Sequence, residues 1–167
     1  YGFRYEQEFD EINLMIQQFQ KATTRARFSS IPVVVAPRGL TLGGGCELTL
    51  HADYIQAAAE TYIGLVEFGV GLIPAGGGTK ELTLRVSDAI EQGDVELNTV
   101  YNAFMNIGTA KVAGSAHEAK DMHILKERDG ISLNLKSQIN EAKRACLSMA
   151  NSNYTRPSMK KDIKVQG

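Results

Sequence analysis

Apolar positions recur along this chain with two different periods. Tyr5, Phe9, Ile12, Ile16 and Phe19 step by four, three, four and three, which lays them along one stripe of an amphipathic helix. Ile31-Pro32-Val33-Val34-Val35-Ala36 is instead a short β-branched run. It predicts a strand buried on both faces, as in a parallel sheet, and Pro37-Arg38-Gly39 ends it. Tyr54-Ile55-Gln56-Ala57-Ala58 predicts the next strand. Between the two, a helix should open in Gly43-Gly44-Gly45 and run to about Ala52. Gly64-Leu65-Val66-Glu67-Phe68-Gly69 reads as a tight loop, followed by Val70-Gly71-Leu72-Ile73-Pro74 and a helix from Gly76-Gly77-Gly78 through about Arg85.

This stretch thus repeats a unit of strand, glycine turn and helix, and holds ten of the sixteen glycines, between Gly39 and Gly78. Such units gather helix N-termini at one edge of a sheet, each with free backbone N–H groups and the positive end of a dipole. Beyond Ser87 the spacing is helical. Val100, Phe104 and Ile107 share a face, and Ser115-Ala116-His117-Glu118 predicts a capping box with Glu118 reaching back. Asp129-Gly130 reads as a turn. Asn134 is a predicted N-cap for a last helix, in which Leu135, Ile139, Ala142, Cys146 and Met149 again step by four and three. From Asn151 the chain is polar and basic, a tail that is loose or docked on a partner. The expected boundaries are an α/β core over 1–110, a helical segment over 111–150 and the tail over 151–167.

Composition narrows the classes. At 167 residues, 43% hydrophobic and 22% charged, the chain is an ordinary globular sequence of about one domain. A net charge of −1 offers no global attraction to nucleic acid or a membrane surface. Acidic Glu6, Glu8, Asp10 and Glu11 at the start, and basic Arg156, Lys160, Lys161 and Lys164 at the end, read as solvated terminal faces. Cys46 and Cys146 make no disulfide framework or Cys-x-x-Cys motif, and His51, His117 and His123 lack metal-ligand spacing. No metal is expected. With neither a membrane-length apolar run nor a signal-peptide pattern, a cytoplasmic, reducing compartment is the expectation. The start at Tyr1, without an initiator Met, suggests a piece of a longer polypeptide.

The glycine triplets do not fit nucleotide motifs. A dinucleotide fingerprint from Gly43 needs glycine where Leu48 stands, and a phosphate loop needs Gly-Lys-Ser/Thr where the chain has Gly78-Thr79-Lys80. What remains is a helix start whose Gly44 and Gly45 N–H groups could face a developing oxyanion, with no side chain at Gly44 to block a thioester's approach. Glu47, in the first turn, is favoured as the ionised carboxylate by the helix dipole and suits a general base; a solvent-facing acid is the equal alternative. Glu67 lies among Ile63, Leu65, Val66, Phe68 and Val70, surroundings that raise a carboxyl pKa and suit a general acid. An outward-pointing loop residue is its alternative. Two carboxyl groups in contrasting environments are a pattern of acid–base sites. Cys46 reads as a small buried packing residue and His51 as a core or hydrogen-bonding histidine. Lys80 and Arg85 could reach a phosphate, but an exposed helix face is the expectation for each.

Taken together, Pro32-Val33-Val34-Val35-Ala36, Leu42-Gly43-Gly44-Gly45-Cys46-Glu47-Leu48, His51-Ala52-Asp53, Gly64-Leu65-Val66-Glu67 and Gly71-Leu72-Ile73-Pro74-Ala75-Gly76-Gly77-Gly78-Thr79 follow in an order that resembles the enoyl-CoA hydratase (crotonase) family. The resemblance covers residues 20–122. It is nearest to hydratase modules fused to 3-hydroxyacyl-CoA dehydrogenases. It implies a crotonase-like α/β fold and hydration of trans-2-enoyl-CoA to 3-hydroxyacyl-CoA in fatty acid oxidation. Gly44 would donate one oxyanion-hole N–H, and Glu47 and Glu67 would hold the water and exchange protons. Leu42, Gly43, Gly45, Pro74 and Ala75 would line the acyl-CoA site; Ala75 stands where the family often has glycine.

Hydration would need no cofactor, and NAD would serve only a fused dehydrogenase domain. Family isomerases keep one such acid, so two glutamates favour a hydratase over the runner-up, double-bond isomerisation. The family's second oxyanion-hole N–H comes from an upstream Phe-Ser-x-Gly-like motif that nothing before Gln20 resembles. The chain therefore reads as the later part of such a domain, weak or inactive alone, with a non-catalytic assembly module as the rival of another class. A homo-oligomer, or contact with a dehydrogenase domain, is the expected assembly.

Overall fold

The computed structural model describes residues 9–90, 96–161 and 163; Tyr5, Glu6, Glu8 and Lys164 lie outside them. Helix α1 (Phe9–Arg27) comes first, followed by β1 (Val34–Val35), β2 (Gly39–Leu42), α2 (Gly44–Leu50), β3 (Tyr54–Ala58) and β4 (Thr61–Gly64). A 3₁₀ turn (Glu67–Val70) then leads to α3 (Gly78–Ala89). The remaining elements are α4 (Glu96–Gly108), α5 (Ala116–Asp121), β5 (Gly130–Ser132) and α6 (Gln138–Asn151).

Two small parallel sheets form the frame. One has the order β1-β3-β5, with Val34 opposite Tyr54 and Gln56 opposite Gly130. The other pairs β2 with β4 from Gly39–Thr61 to Leu42–Gly64. Parallel neighbours need a crossover, and α2 supplies it for β1–β3 and β2–β4, so its start stands at the carboxyl end of β2. The core gathers Cys46 and Leu50 of α2, Ile55 and Ala57 of β3, Ile63 of β4, Leu82 of α3, and Ala116, Ala119 and Met122 around α5. Helix α6 packs on β1 and β3.

The structure departs from the sequence reading where polar contacts decide. The run 31–36 is a strand only at Val34 and Val35, and both are half-buried. Strands β2, β4 and β5 carry no β-branched run long enough to announce them; β5 starts at Gly130, read as part of a turn. In α1, Phe9 is 67% exposed, and the buried residue is the polar Thr23. Ser115 caps α5 by accepting the Glu118 N–H at 3.1 Å, but Glu118 reaches back to the Gly114 N–H, at 2.8 Å, rather than to its cap.

Asn134 does not cap α6. Its Oδ1 accepts from the Lys136 N–H in a local turn, and α6 begins after Ser137. Leu135 is therefore outside the helix, and Ile139 is 66% exposed. The buried anchor is Gln138, whose amide donates to the carbonyls of Pro37 (2.8 Å) and Gln56 (2.9 Å). The early part of the tail is not loose. The Tyr154 hydroxyl donates to Asp53 Oδ2 at 2.9 Å, and Lys160 pairs with Asp88. Among the described residues, no helix is long and apolar enough to cross a membrane.

Candidate active site

Strand β2 leads into Gly43, which has φ +53°, a left-handed turn that glycine adopts without penalty. Its N–H donates to the Gly64 carbonyl at 3.0 Å, extending the β2–β4 ladder by one bond. The chain then enters α2, whose first-turn N–H groups at Gly44 and Gly45 have no intrahelical acceptor.

Glu47 is 2% exposed. It is not governed by the dipole of its own helix alone. Its Oε1 accepts the N–H of Gly78 at 2.9 Å, the first residue of α3, so the carboxylate of one glycine-opened helix caps the next. Burial works against the ionisation that the dipole favours. Burial raises the Glu47 pKa above its ordinary value, and the Gly78 and Gly76 N–H groups only partly offset this. Glu67 begins the 3₁₀ turn on the other side of the site. Its Oε1 lies 3.4 Å from where a Cβ on Gly43 would stand, and neither carboxylate oxygen has a hydrogen-bond partner among the described residues. Burial raises its pKa as well, the backbone N–H groups of Glu67 and Val66 hold the rise back, and the negative charge of Glu47 adds to it. Twenty residues apart in sequence, the two carboxyl groups act on each other in the fold.

Because the folded state binds the Glu67 proton more tightly than the unfolded chain does, this group's contribution is most favourable below the unfolded pKa of about 4.5. It declines as pH rises through the folded value. Glu67→Gln is therefore expected to stabilise the fold at neutral pH by roughly 1 kcal/mol, a figure kept small because the residue is only half-buried. Thermal unfolding at pH 5 and pH 8 checks this; a variant no more stable than the parent at pH 8 would show the carboxylate to be solvated.

The remaining predicted residues fall around these two. Pro74 is buried, Ala75 and Leu42 are half-buried, and Gly45 is exposed. Three residues of α1 that the sequence did not assign to the site, Phe19 among them from the apolar stripe, close it. Phe19 packs 3.2 Å from where a Gly44 Cβ would stand, so this ring fills the space on the side-chain face of Gly44. A Cβ on Gly76 would overlap the same ring and lie 2.6 Å from Glu47 Oε2. Gln20 donates to the Ala75 carbonyl at 2.7 Å, and the buried Thr23 hydroxyl to the Gly76 carbonyl at 2.9 Å. A signal for Thr23 did exist: it continues the stripe Phe9, Ile12, Ile16, Phe19 one step further as a polar residue on an apolar face, the mark of a buried hydrogen bond.

Cys46 is fully buried, and its thiol pKa is driven far up by burial, then by the Glu67 charge; it is a packing residue, as expected. His51 is a buried hydrogen-bonding residue, Nδ1 lying 2.7 Å from the Glu47 carbonyl. Burial lowers its pKa, which favours the neutral ring. Lys80 is half-exposed and pairs with Glu81 at 2.8 Å. Arg85 is the exception: the expected exposed position is wrong, for it is 5% exposed. Its Nη2 donates to the Leu50 carbonyl at 2.8 Å, so the guanidinium sits on the C-terminal end of α2, where a cation is favoured.

Comparisons with known proteins agree with this architecture. The enoyl-CoA hydratase/isomerase family model matches residues 4–104. A probable 3-hydroxyacyl-CoA dehydrogenase of Bacillus subtilis (strain 168) is 44% identical over 162 residues, 97% of this chain and 20% of that protein. The fatty acid oxidation complex subunit alpha of Colwellia psychrerythraea is 50% identical over 52 residues, 31% of this chain and 7% of that protein. Among solved structures, an enoyl-CoA hydratase from Polaromonas sp. JS666 superposes with a TM-score of 0.63 at 20% identity, over 87% of this chain and 50% of that one. The chain thus spans about a fifth of its Bacillus relative and half of the solved hydratase. Its fold is the crotonase fold, and with the family model matched from residue 4 to residue 104 the chain belongs to the enoyl-CoA hydratase/isomerase family.

Proposed function

We propose that the protein containing this chain hydrates trans-2-enoyl-CoA to 3-hydroxyacyl-CoA in fatty acid oxidation, with Glu47 and Glu67 as its acid–base pair. The observation that carries this reading is the contrast between two neighbouring buried carboxyl groups. Glu47 accepts the Gly78 N–H, while Glu67 has no hydrogen-bonded partner among the described residues. A carboxylate with a backbone donor at a helix N-terminus holds its charge better than one without. In this reading Glu47 takes a proton from water as the C3–O bond forms. The π electrons of C2=C3 move onto the thioester oxygen, where the Gly44 N–H meets the developing charge. Glu67 then delivers a proton to C2 as the carbonyl re-forms, and proton exchange between the two carboxyls through solvent restores the starting state. Leu42, Gly43, Gly45, Pro74 and Ala75 line the acyl-CoA site.

NAD has no place in this step. Leu48 stands where a dinucleotide fingerprint needs glycine, so dehydrogenase chemistry of the kind named for the Bacillus relative would belong to another domain of a longer protein. A reducing cytoplasmic setting and assembly with further copies or with such a domain complete the proposal. The test is to follow crotonyl-CoA in the protein expressed from its full reading frame. Loss of the enoyl thioester absorbance with appearance of 3-hydroxybutyryl-CoA is expected. Interconversion of 3-enoyl and 2-enoyl thioesters without net water addition would instead make it an isomerase, and no turnover of either would make it an assembly module.

A further inference from the structure

A second cavity lies away from the two glutamates. Helix α3 begins at the Glu47 site and, over 12 residues or roughly 18 Å, leads to a cavity of about 560 Å³ between its C-terminal part and the loop after α5. Arg85, Asp88, Lys120, His123, Lys126, Glu127 and Arg128 supply the polar lining, with Ala89 and Leu125 as apolar wall. The acids there are engaged, Asp88 by Lys160 and Glu127 by Lys120 at 3.9 Å. Among the described residues the cations are only partly balanced, Arg85 by the charges of Asp129 and Glu81. The Arg85 Nε and Nη1 donors are buried without a hydrogen-bond acceptor among the described residues. The nearest carboxylate to Nη1, Asp129 Oδ2, stands 3.9 Å away and already accepts the Lys126 N–H at 2.7 Å. Among the described residues no carboxylate pairs with the Lys126 ammonium.

A buried guanidinium with two unsatisfied donors is costly, and its planar fork matches the paired oxygens of a phosphate or carboxylate. Burial, and then the charges of Arg85, Arg128 and Arg27, bring Lys126 down to about 8, with the Asp129 charge opposing them. We propose that this cavity is a binding site for a phosphate group, free or as a monoester, held by Arg85 and Lys126 with Arg128 at the rim. The volume exceeds what inorganic phosphate fills, and the Ala89–Leu125 wall offers a place for an organic substituent. This inference is independent of the reaction proposed above.

The test is calorimetric titration of the protein with inorganic phosphate and, separately, with adenosine 5′-monophosphate, at constant ionic strength in chloride. Saturable binding of at least one is expected, weakened about tenfold or more by Lys126→Gln with the unfolding temperature unchanged. Lys143→Gln, on the exposed side of α6, should bind as the parent does. Tighter binding of the nucleotide would assign a monoester, and equal or weaker binding a free anion. Because Arg85→Lys could disturb α2 as well, Lys126→Gln is the deciding variant. No saturable binding of either probe, or equal weakening by Lys126→Gln and Lys143→Gln, would overturn the proposal.

Discussion

Glu47→Gln and Glu67→Gln are each expected to lower crotonyl-CoA hydration by about a hundred- to ten-thousand-fold, the range for loss of a general acid or base. The side chains keep their shape, so the fold should survive both changes. The two variants should then differ in stability, because the environments differ. Gln at position 47 can still accept the Gly78 N–H through its amide oxygen, whereas Gln at position 67 removes a charge that burial disfavours and that the Glu67 and Val66 N–H groups offset only in part. The pairing of lost turnover with gained stability at Glu67 is the signature of a site held against the preference of the fold. Assay of both variants in the full reading frame, alongside circular dichroism, is the check. Near-parental hydration by a folded variant would remove that glutamate from the chemistry.

Gly64→Ala is expected to cost about 1–3 kcal/mol, toward the upper end. A Cβ there would overlap the Lys111 carbonyl oxygen and lie 3.1 Å from the Val112 Cα. Neither is the tip of a flexible side chain. The segment is clamped, since Ile63 and Ala113 exchange backbone hydrogen bonds at 3.2 and 2.9 Å, so relief requires moving backbone on one side of the β4 contact. At this chain length such a loss corresponds to a fall in Tm of roughly 5–10 °C. The damage should reach the site as well, because the Gly64 carbonyl holds the Gly43 N–H that ends the β2–β4 ladder. Gly108→Ala, where a Cβ would meet nothing within 4 Å, is the matched control. Equal melting temperatures for Gly64→Ala and the parent would show that the 111–113 segment yields freely.

The sequence alone determined the elements with a strong local cause: α1 from its apolar stripe, β3 over Tyr54–Ala58, the helices opening at the glycine triplets, and the Ser115 cap. It also pointed to Cys46 and His51 as interior residues, which burial bears out, and the order of its motifs marked the family. These features depend on residues within a turn or two of each other, where periodicity and backbone preference act. Tertiary structure decided what depends on partners distant in the chain. Strands β2, β4 and β5 exist because each has a neighbour to pair with, not because of their own composition. Arg85 is inside because the Leu50 carbonyl, 35 residues away, accepts its proton; a charged residue on a helix otherwise defaults to the surface. Glu47 meets the start of α3, and Phe19, Gln20 and Thr23 meet the Ala75–Gly76 turn, through contacts spanning 31 to 57 residues. Side-chain ionisation follows from burial, and burial is a property of the assembled fold: no local spacing could show that the glutamate at a helix start would have its pKa raised rather than lowered.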